Sequence, residues 1–274
     1  MPRSFSEYYR SERREPMPAC LTHYQFGQEI LDRLDPELKS CALAYKGEFD
    51  VGLQGPDIFF FYKPYRKTRI AAYGNACHDQ PALEMFRPIL KKVHHKGPLA
   101  HMMGLICHYI LDANCHPYVY KHSSDMFEHH LMEAAYDRHI LTRSGREQAR
   151  HLTIPSSGLD FQAMAELWPG MSTATIKKCV TSQRNYIWLL DQPRILSVCQ
   201  AIAGSRGKFT AMSLPDELSW IQEKYARNLD VLYSKALEEG PEKIRQAWAQ
   251  MGARNIDLSG FELNYKGEAV FEGA

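Results

Sequence analysis

The stretch GPLAHMMGLICHYILDANCH, Gly97 to His116, constrains the fold of this chain more than any other. Its apolar residues run too continuously for a helix with a broad wet face, so it reads as the longest apolar helix, mostly buried. A helix of that kind needs other helices around it. Yet it carries His108, Asp112 and His116 at four-residue intervals. Residues four apart lie about 40° apart around a helix, so the three project from one face. A carboxylate set among Tyr109, Ile110, Leu111 and Ala113 is unfavourable unless it is paired or holds a metal.

A second ladder follows in DMFEHHLMEAAYDRHIL, where His129, Glu133 and Asp137 repeat the same spacing. His130, adjacent to His129, points about 100° away on a helix. Most of the twelve histidines fall between His78 and His139. A lone histidine on an apolar face is more often a hydrogen-bonded core residue, and carboxylates at helical spacing are more often solvated. Two ladders so close together favour the other reading. Two such faces packed against each other bring imidazoles and carboxylates into one cleft, as in metal-binding bundles.

Helical periods dominate the rest of the chain, strand signals are few, and no repeat or clean linker divides it. The reading is all-α, a single multi-helix domain. Thr22 is expected to cap a helix through HYQFGQEILDRL, with Gln25 at the capping-box position, and Pro36 to open the next. Pro88 is expected to kink or break a helix and Pro117 to bend or end the long one. Residues 141–160 read as loop, and helices are expected at about 173–190, 193–204, 216–238 and 241–252. The charged residues 1–16 read as a flexible arm, or Met17 is the true start. Residues 17–254 form the helical domain, and 255–274, rich in glycine, a tail or small hairpin.

Composition excludes little but does so usefully. The net charge of +1 provides no strong basic field, which makes nucleic acid the less favoured partner. The seven cysteines are odd in number and lack a CxxC pair, fitting buried free thiols in a reducing compartment. The N-terminus has no signal-peptide pattern and no run of about 18 apolar residues occurs, so the expected location is cytoplasmic, with no transmembrane segment.

Five segments in order, THYQFGQEIL, GPDIFFFY, GNACHD, GLICHYILDANCHPY and HHLMEAAYD, resemble the zinc-dependent phospholipase C family, which shares its fold with zinc-dependent single-strand nucleases. The resemblance spans residues 22–137. It implies one zinc held by Asp57, His78, His108 and Asp112, and a second by His116, His129 and Glu133. A third would use His23 with Asp112. Secreted members complete that third site with their free amino-terminal residue, whereas here twenty-two residues precede His23. In those members the histidine corresponding to His116 comes after the proline, so His122 is an alternative ligand, as is His130 for His129.

The implied chemistry is phosphoester hydrolysis, with a metal-bridging hydroxide attacking phosphorus. The same ligands would accept manganese or iron. Asp57 would serve as ligand and general base, and Asp137 would orient a ligating histidine. The stretch IFFFYKPYRK places Phe60, Tyr62, Lys63, Arg66 and Lys67 beside Asp57 as substrate contacts. The expected substrate is a small phosphoester or phospholipid head group, with transient contact at a membrane surface. Three other readings stand beside it. One is a nuclease or nucleotide phosphodiesterase on the same site. Another is an HD-type phosphohydrolase built on His78–Asp79, and the last a non-catalytic helical protein with a structural metal.

Overall fold

The computed structural model describes residues 19–93, 96–145, 150–251, 253 and 255–270. The proposed arm and the choice between Met1 and Met17 lie outside them. The described chain is helical: α1 (Cys20–Leu31), α2 (Pro36–Ala44), α3 (Lys46–Gly52), α4 (Arg69–Asp79), α5 (Ala82–Lys92), α6 (Lys96–His122), α7 (Met126–Ser144), α8 (Phe161–Leu167), α9 (Thr173–Leu190), α10 (Pro193–Ala203), α11 (Lys208–Ala211) and α12 (Trp220–Ala249). Two 3₁₀ turns, Gly55–Phe61 and Arg150–Thr153, join them. Among the described residues the only strand-like pairing is a single antiparallel bridge between Leu263 and Ala269.

Helix α6 is the axis. Every residue from Gly97 to Asp112 is buried, and α1, α2, α3, α7, α8, α12 and the first 3₁₀ turn all pack on it. This is what an apolar helix without a wet face requires. The surrounding helices are started by short polar side chains. Thr68, Asp125, Asp160, Ser172 and Ser219 each accept from a backbone N–H three residues on, satisfying donors that the first turn leaves open.

Local rules failed where a tertiary partner replaced them. Helix α1 starts at Cys20, so Thr22 lies inside it rather than capping it. Its hydroxyl and its N–H instead both donate to Asp137 Oδ1 on α7, at 2.6 and 2.8 Å. Pro117 does not end α6, which runs on to His122. The Ala113 carbonyl, whose i+4 donor is missing at Pro117, faces Gly267 of the C-terminal segment. Pro241 likewise sits inside α12, joining the two helices expected at 216–238 and 241–252, and Pro88 sits inside α5. The expected loop after residue 141 begins later, because α7 reaches Ser144 and ends at left-handed Gly145. His78 lies in the last turn of α4.

All seven cysteines are free thiols and six are buried. Burial pushes that of Cys77 up to about 12, so it is inert as a thiolate. No helix among the described residues is long and apolar enough to cross a membrane.

Candidate metal centre

Four elements and the C-terminal segment meet at the middle of α6. Helix α1 brings His23, the first 3₁₀ turn Asp57, the end of α4 His78, and α7 His129 and Glu133. Helix α6 supplies His108, Asp112 and His116. The ligand-type atoms fall into three groups, each within 4.8 Å: Asp57, His78 and His108; His23, His108 and Asp112; and His116, His129 and Glu133. All eight residues are buried.

The hydrogen bonds at these rings decide what the groups can hold. His78 and His108 are in contact through Nδ1 with backbone carbonyls, Gly74 at 2.7 Å and Leu53 at 3.0 Å. A carbonyl only accepts, so Nδ1 carries a proton and Nε2 is the ring nitrogen turned toward the centre. That nitrogen faces a carboxylate. His78 Nε2 is 3.0 Å from Asp57 Oδ1, and His108 Nε2 is 3.1 Å from Asp112 Oδ2. All four atoms are buried without a hydrogen bond. A nitrogen and a carboxylate oxygen this close in a dry interior need positive charge between them, a proton or a metal ion. Imidazoles tied back through Nδ1, beside carboxylates, form a donor set that suits zinc.

In the group of His116, His129 and Glu133 only His116 is tied back to a carbonyl, and His129 Nδ1 is buried without a hydrogen bond. His116 Nδ1 is 2.8 Å from the Tyr265 carbonyl, and its Nε2 is 3.5 Å from Glu133 Oε1. His129 Nε2 is 3.0 Å from the same oxygen. His23 Nε2 lies 3.3 Å from Asp112 Oδ1, its ring stacked on His108 with centroids 4.0 Å apart.

The electrostatics follow from this crowding. Burial would raise the Asp112 carboxyl, but His116, His108 and His23 outweigh it and hold it well below the usual carboxylate range. Burial acts on Glu133 in the same sense and is outweighed by His129 and His116. Burial would lower His116, yet Asp112 and Glu133 raise it to about 9. For His23 burial wins, helped by neighbouring His108, and its imidazole is pushed down. The centre favours anionic carboxylates together with positive charge between them.

The other expected site residues fall elsewhere. His122 is exposed at the end of α6, its ring 4.3 Å from that of Tyr118. His130 is buried edge-on to His129, with centroids 5.9 Å apart. Asp137 receives Thr22, one residue before His23, so it grips the helix start that carries His23. Burial raises its carboxyl to about 7, against the Thr22 hydroxyl and Arg150. Phe60 is buried and stacked on His78 at 5.4 Å. Tyr62 is half-buried, while Lys63, Arg66 and Lys67 are exposed. Asp79 pairs with Lys266 at 3.0 Å and joins none of the three groups among the described residues. The His78–Asp79 dipeptide is thus divided, with His78 in a ligand group and Asp79 in an ion pair. His101, on the same helix, is a core histidine: its Nδ1 is 3.0 Å from the Glu48 carbonyl, and Trp168 Nε1 donates to its Nε2.

Two contributors carried no sequence signal. Tyr265, fully buried, meets His116 through its carbonyl and donates its N–H to the His78 carbonyl at 3.3 Å. Its ring packs on His78 and His108, with centroids 5.0 and 5.7 Å away. Gly55 has φ +56, and a Cβ there would lie 2.3 Å from the His108 ring. Gly55→Ala is therefore expected to displace that imidazole and to lower unfolding free energy by about 2–4 kcal/mol, from left-handed backbone strain plus overlap. Urea unfolding measures the loss; a change below about 0.5 kcal/mol would mean the turn relaxes freely.

No curated protein and no solved structure is matched by the chain. A family model described as zinc dependent phospholipase C matches residues 22–183, a span that contains all eight clustered residues. With three histidine and carboxylate clusters that could hold metal ions inside that span, the chain belongs to the zinc-dependent phospholipase C family.

Proposed function

We propose that this chain is a zinc-dependent phosphoric ester hydrolase that cleaves phospholipids, releasing diacylglycerol and the phosphorylated head group. The observation that carries the reading is the pair of buried imidazole–carboxylate contacts, His78 Nε2 to Asp57 and His108 Nε2 to Asp112. Asp57, His78, His108 and Asp112 would hold one zinc, and His116, His129 and Glu133 a second. His23 and Asp112 supply only part of a third site. Zinc bound there supplies an acidified water as nucleophile and positive charge for the phosphoryl oxygens.

The protein's own groups do the rest. The carbonyls of Gly74, Leu53 and Tyr265 fix the tautomer and the angle of three imidazoles. Asp57 is the carboxylate we assign to take the proton of the attacking water. Phe60 on the His78 ring excludes water from that side. Lys63 and Arg66 are the exposed cations that follow Asp57 and Phe60 along the chain, and we assign them to the head-group phosphate. The functional unit includes the C-terminal segment through Tyr265, so a division after residue 254 would cut the site.

Zinc analysis of the purified protein, with phosphorus NMR of phosphatidylcholine and parallel digestion of single-stranded DNA, tests the reading. About two zinc ions per chain and a new phosphocholine resonance are expected. Failure to take up zinc after reconstitution would sink the proposal. Zinc with DNA cleavage but no lipid turnover would move the assignment to a nuclease. Tightly held zinc with neither activity would make the metal structural.

A further inference from the structure

The outward face of α10 stands out on the surface. None of the residues of this helix, PRILSVCQAIA, is buried. Leu196 is packed against the core, while Ile195, Val198 and Ile202 are 41%, 58% and 83% exposed. At positions i, i+3 and i+7 they form one stripe about 60° wide. Trp188, 45% exposed, lies in the last turn of α9 just before it.

Cations follow the stripe along the chain, between Asp191 and Asp216. From Gln192 to Pro215 the chain contains Arg194, Arg206 and Lys208 and no acidic residue. Arg206 also fixes where the stripe lies. Its guanidinium sits 4.6 Å over the Phe127 ring and pairs with Asp125, the cap of α7. His129 is one turn further along α7. The C-terminal end of α10 is thereby tied to the end of α7 that leads into the second ligand group.

We propose that this face is the surface by which the chain lies on a phospholipid bilayer, with Ile195, Val198, Ile202 and Trp188 entering the head-group boundary and Arg194 and Lys208 meeting lipid phosphates. An exposed aliphatic stripe on a helix that carries Arg194 and leads to Lys208, with no acidic residue of its own, is the pattern of an interfacial helix. It complements the negative surface potential of anionic lipid. The inference rests on the phospholipase reading for its choice of partner, since a substrate held in a bilayer has to be met at its surface. A second copy of this chain is the competing occupant.

The test is flotation of the full chain with vesicles of phosphatidylcholine alone and with one-third phosphatidylserine. Wild type is compared with Ile195→Ser/Val198→Ser/Ile202→Ser and with Val231→Ser, an exposed aliphatic on α12. Wild type is expected to float with both, more with the anionic vesicles. The triple variant is expected to lose about tenfold or more of its partition, given ~0.8 kcal/mol per buried CH₂. Val231→Ser should behave as wild type, and circular dichroism and zinc content should be equal in all three. Wild type that stays with the unbound fraction, or a triple variant that floats equally well, overturns the proposal. So does a wild-type dimer in sedimentation that the triple variant abolishes, because then a second copy covers the face. Flotation is read without turnover. A chain that floats through α10 and hydrolyses nothing sinks the enzyme reading alone, whereas one that cleaves a soluble phosphodiester but does not float sinks this one alone.

Discussion

Asp112→Ala is expected to strip the chain of most of its zinc, by more than the ~10–100-fold in affinity that loss of an outer partner costs, and phosphodiester turnover should fall with it. The reason is geometric. One carboxylate is approached by three imidazoles, His108 at 3.1 Å, His23 at 3.3 Å and His116 at 3.7 Å. Asp112 belongs to one ligand group with His23 and His108 and also touches His116 of another. Elemental analysis beside wild type measures it directly. The metal-free variant should also be less stable by about 3–5 kcal/mol, because removing one member of a buried charged set leaves the rest uncompensated. Asp112→Asn separates charge from shape: it keeps the volume and should still lose the metal. Zinc content equal to wild type in both variants would mean that the α6 ladder is a core polar network and that the metal reading is wrong.

The second large effect is expected at a position more than a hundred residues from any proposed ligand. Gly267 has φ +72, and a Cβ there would lie 2.4 Å from the Ala113 carbonyl and 2.6 Å from Pro117. Gly267→Ala must therefore lift the C-terminal segment away from α6. The segment is otherwise anchored by Ala82 and Leu83 N–H groups donating to the Leu263 and Phe261 carbonyls. It is also held by Asn264 Oδ1, which accepts from Lys266 and Glu268 N–H. Lifting it takes the Tyr265 carbonyl from His116 Nδ1. The expected loss is about 10–100-fold in zinc affinity, the range for a group that orients a metal ligand, with helical circular dichroism unchanged. Tyr265→Phe is the control. It retains the backbone and the ring and loses only the hydroxyl contact to Met85 Sδ at 3.4 Å, so its affinity should stay within about threefold of wild type, since that contact is remote from the ligand atoms. Competition with a chromophoric chelator measures both. A Gly267→Ala protein that binds zinc as wild type does, or one that loses helix along with zinc, would remove the segment from the metal centre.

The contrast between these two positions marks what can be read along the chain. The ladder containing Asp112 was legible because its members share one helix, and a helix fixes the relation of i to i+4 wherever it is placed. The all-helical architecture was legible for a similar reason: α6 is apolar on all sides, and only a shell of helices buries it here. The starts of α2 and α9 and the run of α10 were set by proline, a serine cap and local period. Thr22 was misread as a cap because that local signal is a weak preference. Asp137 gave Thr22 a better partner than its own helix end, and packing carried α6 and α12 through their prolines.

The residues alone determined the helical class, the two four-residue ladders and the family to which the chain belongs. Tertiary structure decided how they are grouped: that His23 comes to Asp112, that His116 sits with His129 and Glu133 while His122 stays at the surface, and that His101 is satisfied by Glu48 and Trp168. It also decided the tautomers, because the carbonyls that receive Nδ1 belong to Leu53, Gly74 and Tyr265. Every residue type carries the same carbonyl, so two of those three contacts, at sequence separations of 55 and 149, leave no mark in a side-chain pattern and arise only when the chain has packed.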